Sequence, residues 1–166
     1  MSRAGKAVVA AAGAAAAALI GYRIYLAMLP DEARIRRVVK GIEEAFNEGS
    51  VSGITGSLAQ DFREKDSNLG RDEVRLVLAQ LFLASQSRSA ARYRVEVEPG
   101  GVDVELEAER PDSARITVTA RFSSLSKSGE EREEAVAEFR GELARIDGRW
   151  LLRRASHRLV SGRWPF

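Results

Sequence analysis

The chain has a single histidine, His157, and no cysteine. Disulfides and thiolate chemistry are therefore excluded. A closed metal site needs several nitrogen or sulfur ligands, so none is expected, and no cofactor is expected either. General acid–base catalysis requires a positioned proton acceptor. Its candidates are Asp61 and Asp66, which flank a short segment, and Tyr93, at the start of an alternating stretch. None is partnered by histidine in the sequence pattern, so no catalytic residue is expected and a contact role is favoured over chemistry.

The elements that must position these residues fall into two periods. Residues 31–48 carry Ile35, Val38, Val39, Ile42, Ala45 and Phe46 at helical spacing, and Gly49 is a helix stop. A short helix or turn over 51–62 leads to a short strand at 60–65. A second firm helix, 71–87, carries Val74, Val77, Leu78, Leu81 and Phe82 on one face. After residue 90 the period becomes two. Tyr93, Val95 and Val97 alternate with charged residues, as do Val102, Val104, Leu106 and Ala108. A two-residue turn at Gly100–Gly101 is predicted between them, pairing Val97 with Val104 and Val95 with Leu106. This register also sets Glu98 opposite Asp103 and Glu96 opposite Glu105, which is unfavourable.

Strands at 114–125 and 133–146 follow, and Asp147–Gly148 is a strong hairpin turn. An unbroken register from that turn sets Leu143 against Leu152, Gly141 against Arg154 and Phe139 against Ser156. It sends His157 to the outer face beside Glu138. Gly141 is the expected bend. The inward positions are then Tyr93, Val95, Val97, Leu106, Ile116, Val118, Phe122, Phe139, Leu143, Trp150 and Leu152, with Arg154 and Ser156 as polar exceptions. Trp150 is expected to fill core against the first helix. The fold class is α+β: N-terminal helices packed on a strongly curved antiparallel sheet.

The net charge of +2 is unevenly spread. Residues 148–166 carry five arginines and no acid, and residues 101–147 carry seven bases and twelve acids. Acids and bases mostly interdigitate, so no nucleic-acid partner is expected. Residues 7–29 hold one basic residue and no acid, after Arg3 and Lys6. As a helix they would span about 34 Å, enough for a hydrocarbon core of about 30 Å. The expected domains are an anchor over 1–30 and a globular domain over 31–166. An uncleaved signal-anchor is favoured over a cleaved signal peptide, and an alanine-rich helix outside a membrane is the alternative. A short N-terminal tail with two bases usually stays in the cytoplasm and would place the domain of a single-pass bacterial inner-membrane protein outside, while Arg34, Arg36, Arg37 and Lys40 on the other flank leave the orientation open.

The opener ARIRRVVKGIEEAFNEG, the LAQDF segment, the GRDEVRLVLAQLF helix and the closing DGRWLL together resemble the nuclear transport factor 2-like superfamily and its SnoaL-like members. The resemblance covers about 31–160. It implies a cone with a pocket between helices and sheet, frequent dimerisation through the sheet, and either isomerase, dehydratase and hydrolase activities or non-catalytic scaffolding. It lets the segment flanked by Asp61 and Asp66 border the pocket. Under it, Tyr93, Phe122, Phe139, Trp150 and Arg154 are the candidate ligand-binding residues. The anchored architecture resembles bitopic components of bacterial envelope assemblies. The leading expectation is thus a membrane-anchored interaction domain with a protein partner or a second copy, and the other is a small-molecule binder or enzyme using the cone. The Trp164–Phe166 tail is either docked on the domain or offered to a partner.

Overall fold

The computed structural model describes residues 28–85, 92–126 and 130–164. The chain divides into two compact units, Met1–Arg34 and Ile35–Phe166, and the architecture below is that of the second. Nearly all of the expected anchor, residues 7–29, lies outside the described residues. Among the described residues no helix is long and apolar enough to cross a membrane.

The elements run α1 (Asp31–Asn47), α2 (Val51–Thr55), β1 (Leu58–Glu64), α3 (Arg71–Ser85), β2 (Arg92–Leu106), β3 (Ser113–Leu125), β4 (Glu131–Ile146) and β5 (Arg149–Gly162). Helix α1 buries Ile35, Val39, Glu43 and Ala45, the stripe its 3.6-residue period dictates. Gly49, at φ +70°, ends it, and the amide of Ser50 donates to the Ala45 carbonyl at 2.7 Å. Glycine takes this left-handed conformation without the Cβ penalty. The Ser50 hydroxyl then caps α2 by accepting from the Gly53 amide. At the start of α3 the Gly70 amide donates to Glu73 at 2.9 Å.

The five strands are ordered β1-β5-β4-β3-β2. Strands β2 to β5 form an antiparallel meander, as the period-two patterning predicts. Edge strand β1 instead runs parallel to β5, Leu58 beside Leu152 and Glu64 beside Ala155, so the sheet is mixed and not wholly antiparallel.

The predicted hairpin at Gly100–Gly101 does not form. Strand β2 continues through this point as a bulge, and both of its halves pair with β3: Val97 with Ala120, Val102 with Val118, Val104 with Ile116. The reason is electrostatic as well as topological. Glu96 now lies opposite Arg121 and Glu105 opposite Arg115, where the predicted turn had acids facing acids. Leu106, at the strand's end, is 42 % exposed and not core.

The Asp147–Gly148 turn forms as predicted, with φ of 50° and 73° at its two residues and Leu143 opposite Leu152. One step further the register slips: Glu142 pairs with Arg154, Gly141 with Ala155 and Phe139 with His157. Arg153 is the extra residue of a β-bulge, and the side chains from Arg154 to Leu159 change face relative to the unbroken register, until a second shift at Val160. A Cβ at Gly141 would lie 2.7 Å from Leu152 and 2.9 Å from Ile116, so this close approach requires glycine.

Two apolar clusters lie in the domain. One joins Ile35, Ala114, Leu143 and Trp150. The other joins Val95, Ala120, Phe122, Ala135 and Ala137, with Phe46, Phe139 and Trp164 against it. Helix α1 also reaches the outer edge of β2. The Asn47 amide donates to the Val95 carbonyl and its carbonyl accepts from the Val95 amide, both at 2.8 Å. Glu43 accepts from the Val97 amide at 3.4 Å, and Arg36 donates to the Val102 carbonyl.

Candidate functional site

The second cluster surrounds a cavity of about 600 Å³. Val39, Ile42 and Phe46 of α1 and Val74 of α3 line it opposite the sheet, which contributes Val95, Val97, Ile116, Val118, Ala120, Phe122, Phe139 and Leu152. Four ionisable residues also line it: Glu43, Glu64, Arg140 and His157. Glu43 is buried, yet it is held by Lys40 at 3.1 Å and by the Val97 amide. The Arg140 side chain is 68 % exposed and pairs with Glu138 at 2.9 Å. The remaining two, Glu64 and His157, meet each other.

The parallel pairing of β1 with β5 creates this meeting. The Lys65 amide donates to the Ala155 carbonyl at 2.8 Å, so the chain after Glu64 runs alongside β5. Glu64 Oε1 is 3.4 Å and Asp66 Oδ2 is 3.7 Å from His157 Nδ1. The Asp66 carboxylate also accepts from the His157 amide at 3.3 Å. Glu64 Oε2 accepts from both the amide and the hydroxyl of Ser67. Burial raises the Glu64 carboxyl, but the Ser67 hydrogen bonds, with His157 behind them, outweigh it and hold the carboxyl below its ordinary value. Oε1 is buried and, despite its approach to the imidazole, has no aligned hydrogen-bond partner. Lys65 points elsewhere, to Glu142 at 2.7 Å.

His157 is therefore not on the outer face beside Glu138. The bulge at Arg153 turns it inward, and Arg158 is the residue that pairs with Glu138, at 3.3 Å. The same slip removes Arg154 from the pocket; its side chain is 61 % exposed and lies 3.7 Å from Glu142. Ser156 sits opposite Arg140 and not Phe139. Of the other candidate ligand-binding residues, Phe122 and Phe139 line the cavity. Tyr93 lines a separate recess of about 210 Å³ with Phe46, Asn47 and Phe82. Trp150 is buried in the first cluster with Ile35, and the Arg145 guanidinium lies 5.6 Å from its ring. Asp61 lies outside the cavity, bonded to Arg153 at 2.9 Å, which holds its carboxyl below the usual range. Asp66 does reach the site.

Trp164 is docked. Its ring centroid lies 5.4 Å from Phe122, 6.4 Å from Phe139 and 5.1 Å from His157, each edge-on, the arrangement favoured by aromatic quadrupoles. Phe166 lies outside the described residues. The alternation of β5 did not mark the slip: Leu152 and Ala155 both line the cavity although they are three residues apart, and only the structure shows that they share this face.

No family model and no curated protein matches the chain. Solved structures do. A protein of unknown function from Mycobacterium tuberculosis aligns with a TM-score of 0.64 at 17 % identity, covering 78 % of this chain and 71 % of that one. Aln2 from a Streptomyces species aligns at 0.66 and 14 % identity, covering 79 % and 92 %. A nuclear transport factor 2-like protein with a cystatin-like fold from Novosphingobium aromaticivorans aligns at 0.66 and 17 % identity, covering 87 % and 90 %. Likeness at this identity is one of fold, and the globular domain shares the cystatin-like fold of these neighbours.

Proposed function

We propose that the domain binds a small, mainly apolar molecule in the cavity and moves a proton on it with His157. One observation carries the reading: the only histidine of the chain lines a mainly apolar cavity, 3.4 Å from a carboxylate held ionised by Ser67. Carboxylates beside Nδ1 favour the tautomer protonated there and leave Nε2 as the basic atom. An acidic C–H or O–H of the ligand gives its proton to Nε2. Glu64 and Asp66 offset the imidazolium charge, and return of the proton to another ligand atom completes an isomerisation or elimination without an oxidant. Such a positioned base contributes roughly 10²–10⁴-fold.

The test uses 2-tetralone, a bicyclic ketone with acidic C–H groups, and the untagged full-length chain. Binding shifts the emission of Trp164, and the protein accelerates deuterium exchange of the ketone in D₂O, followed by NMR. His157→Asn loses at least tenfold of the exchange. Unchanged emission, or exchange indifferent to His157→Asn, overturns the reading.

The contact role expected from sequence rested on an interior without titratable groups, a premise this site removes. Its support now lies on α3, where Leu76 is 65 % and Leu83 71 % exposed, apolar area suited to a protein partner or a second copy. Membrane attachment through residues 7–29, with the domain outside a bacterial inner membrane, is proposed on the acid-free run alone. A carbonate wash that releases full-length protein overturns it.

A further inference from the structure

We propose that Glu64, Asp66 and His157 form a binding site for one divalent transition-metal ion of the Zn²⁺ class at the mouth of the cavity. The three side chains each offer one donor atom, and all three atoms lie within 4.8 Å of one another. The two shortest separations, 3.4 and 3.7 Å, meet at His157 Nδ1. Donors held at about 2.1 Å around a tetrahedral ion stand about 3.4 Å apart, so small side-chain movements close the shell. Register fixes the arrangement at the backbone: Glu64 sits beside Ala155, and Asp66 is bonded to the amide of His157.

Two further observations point to a cation. Glu64 Oε1 is buried without a hydrogen-bond donor, while Oε2 is occupied by Ser67. An unpaired buried carboxylate oxygen is costly, and a metal ion would satisfy it. Charge balance agrees. Glu142 and Asp61, the neighbouring acids, are neutralised by Lys65 and Arg153, whereas among the described residues Glu64 and Asp66 have only His157 as ion-pair partner. An imidazole among carboxylates selects zinc-like ions over magnesium or calcium, which prefer all-oxygen shells. Three protein ligands leave a coordination position open, as in catalytic and not structural sites.

The inference rests on the same His157 as the proposed function and excludes its chemistry in the loaded state: an ion on Nδ1 leaves the ring's proton on Nε2, so proton transfer belongs to the metal-free chain. The experiment separates them. Untagged full-length protein is stripped with EDTA and titrated with ZnCl₂ by calorimetry. One ion per chain is expected, with affinity falling at least tenfold in both Asp66→Asn and His157→Asn, each checked for fold by circular dichroism. Cu²⁺ should quench Trp164, 5.1 Å from His157, and His157→Asn should abolish that quenching; Trp164→Phe gives the background from Trp150. Ala120→Phe fills the cavity, and should lose 2-tetralone while keeping Zn²⁺. No zinc binding by the folded protein, or binding unchanged in both variants, overturns the metal site. A tetralone response in EDTA that survives that result leaves the cavity reading standing.

Discussion

Strand β3 supplies both apolar clusters, Ala114 at one end and Ala120 and Phe122 at the other, yet the two ends are built to opposite purposes. Around Ala114 the space is taken by Ile35, Leu143 and Trp150, all nearly inaccessible to solvent. Around Ala120 the neighbouring strand buries the small Ala135 and Ala137, and the rings of Phe46, Phe122, Phe139 and Trp164 stand edge-on or tilted around a void. Protein interiors are otherwise close-packed, and side chains facing a void forgo dispersion contacts. The difference teaches that stability is concentrated at the filled end, which frees the other to stay hollow.

The comparison breaks first if the filled end is not where stability lies. Trp150→Ala is expected to cost about 3–5 kcal/mol by urea denaturation, against about 1–2 kcal/mol for Phe139→Ala, whose ring already borders the void. Equal costs would abolish the distinction. A finer test adds volume. Ala114→Leu overpacks a filled site and costs about 1–3 kcal/mol, whereas Ala120→Leu grows into the cavity and costs less than about 1 kcal/mol. The smallest effect is in acid. Glu64 has a folded-state value below its ordinary 4.5, so its ionised form contributes stability above that pH, lost as pH falls through the lower folded value. Glu64→Gln should flatten the fall in stability as pH drops below about 4.5. Leu143 is buried among Ile35, Ala114 and Trp150, so Leu143→Ala should lower the whole curve without changing its slope.

What could be read from sequence follows from where the information is local. The stripe of α1 and the Asp147–Gly148 turn are set by residues a few positions apart, and both are found as expected. The Gly100–Gly101 turn misleads because glycine serves bulges as well as hairpins; Glu98 facing Asp103 was the physical warning. The site was the least legible part. It depends on one extra residue at Arg153 and on a parallel pairing between segments about ninety residues apart, and neither leaves a periodic trace. Phe122 and Phe139 were on the right face because β3 and β4 keep their alternation there. Arg154 and His157 were exchanged because β5 does not.

The hydrogen bonds from Asn47, Glu43 and Arg36 to β2 have a consequence for colloidal behaviour. An edge strand ordinarily presents a row of free amides and carbonyls that can template another chain. Here side chains of the first helix occupy positions 95, 97 and 102 of that row. At the opposite margin, the amide of Glu64 is already given to the Leu69 carbonyl and Arg63 is bridged to Gly70. A strand from a neighbouring molecule would have to displace these bonds at either margin before it could add to the sheet. Open-ended β-stacking of this domain is thereby disfavoured at the positions that matter for nucleating it.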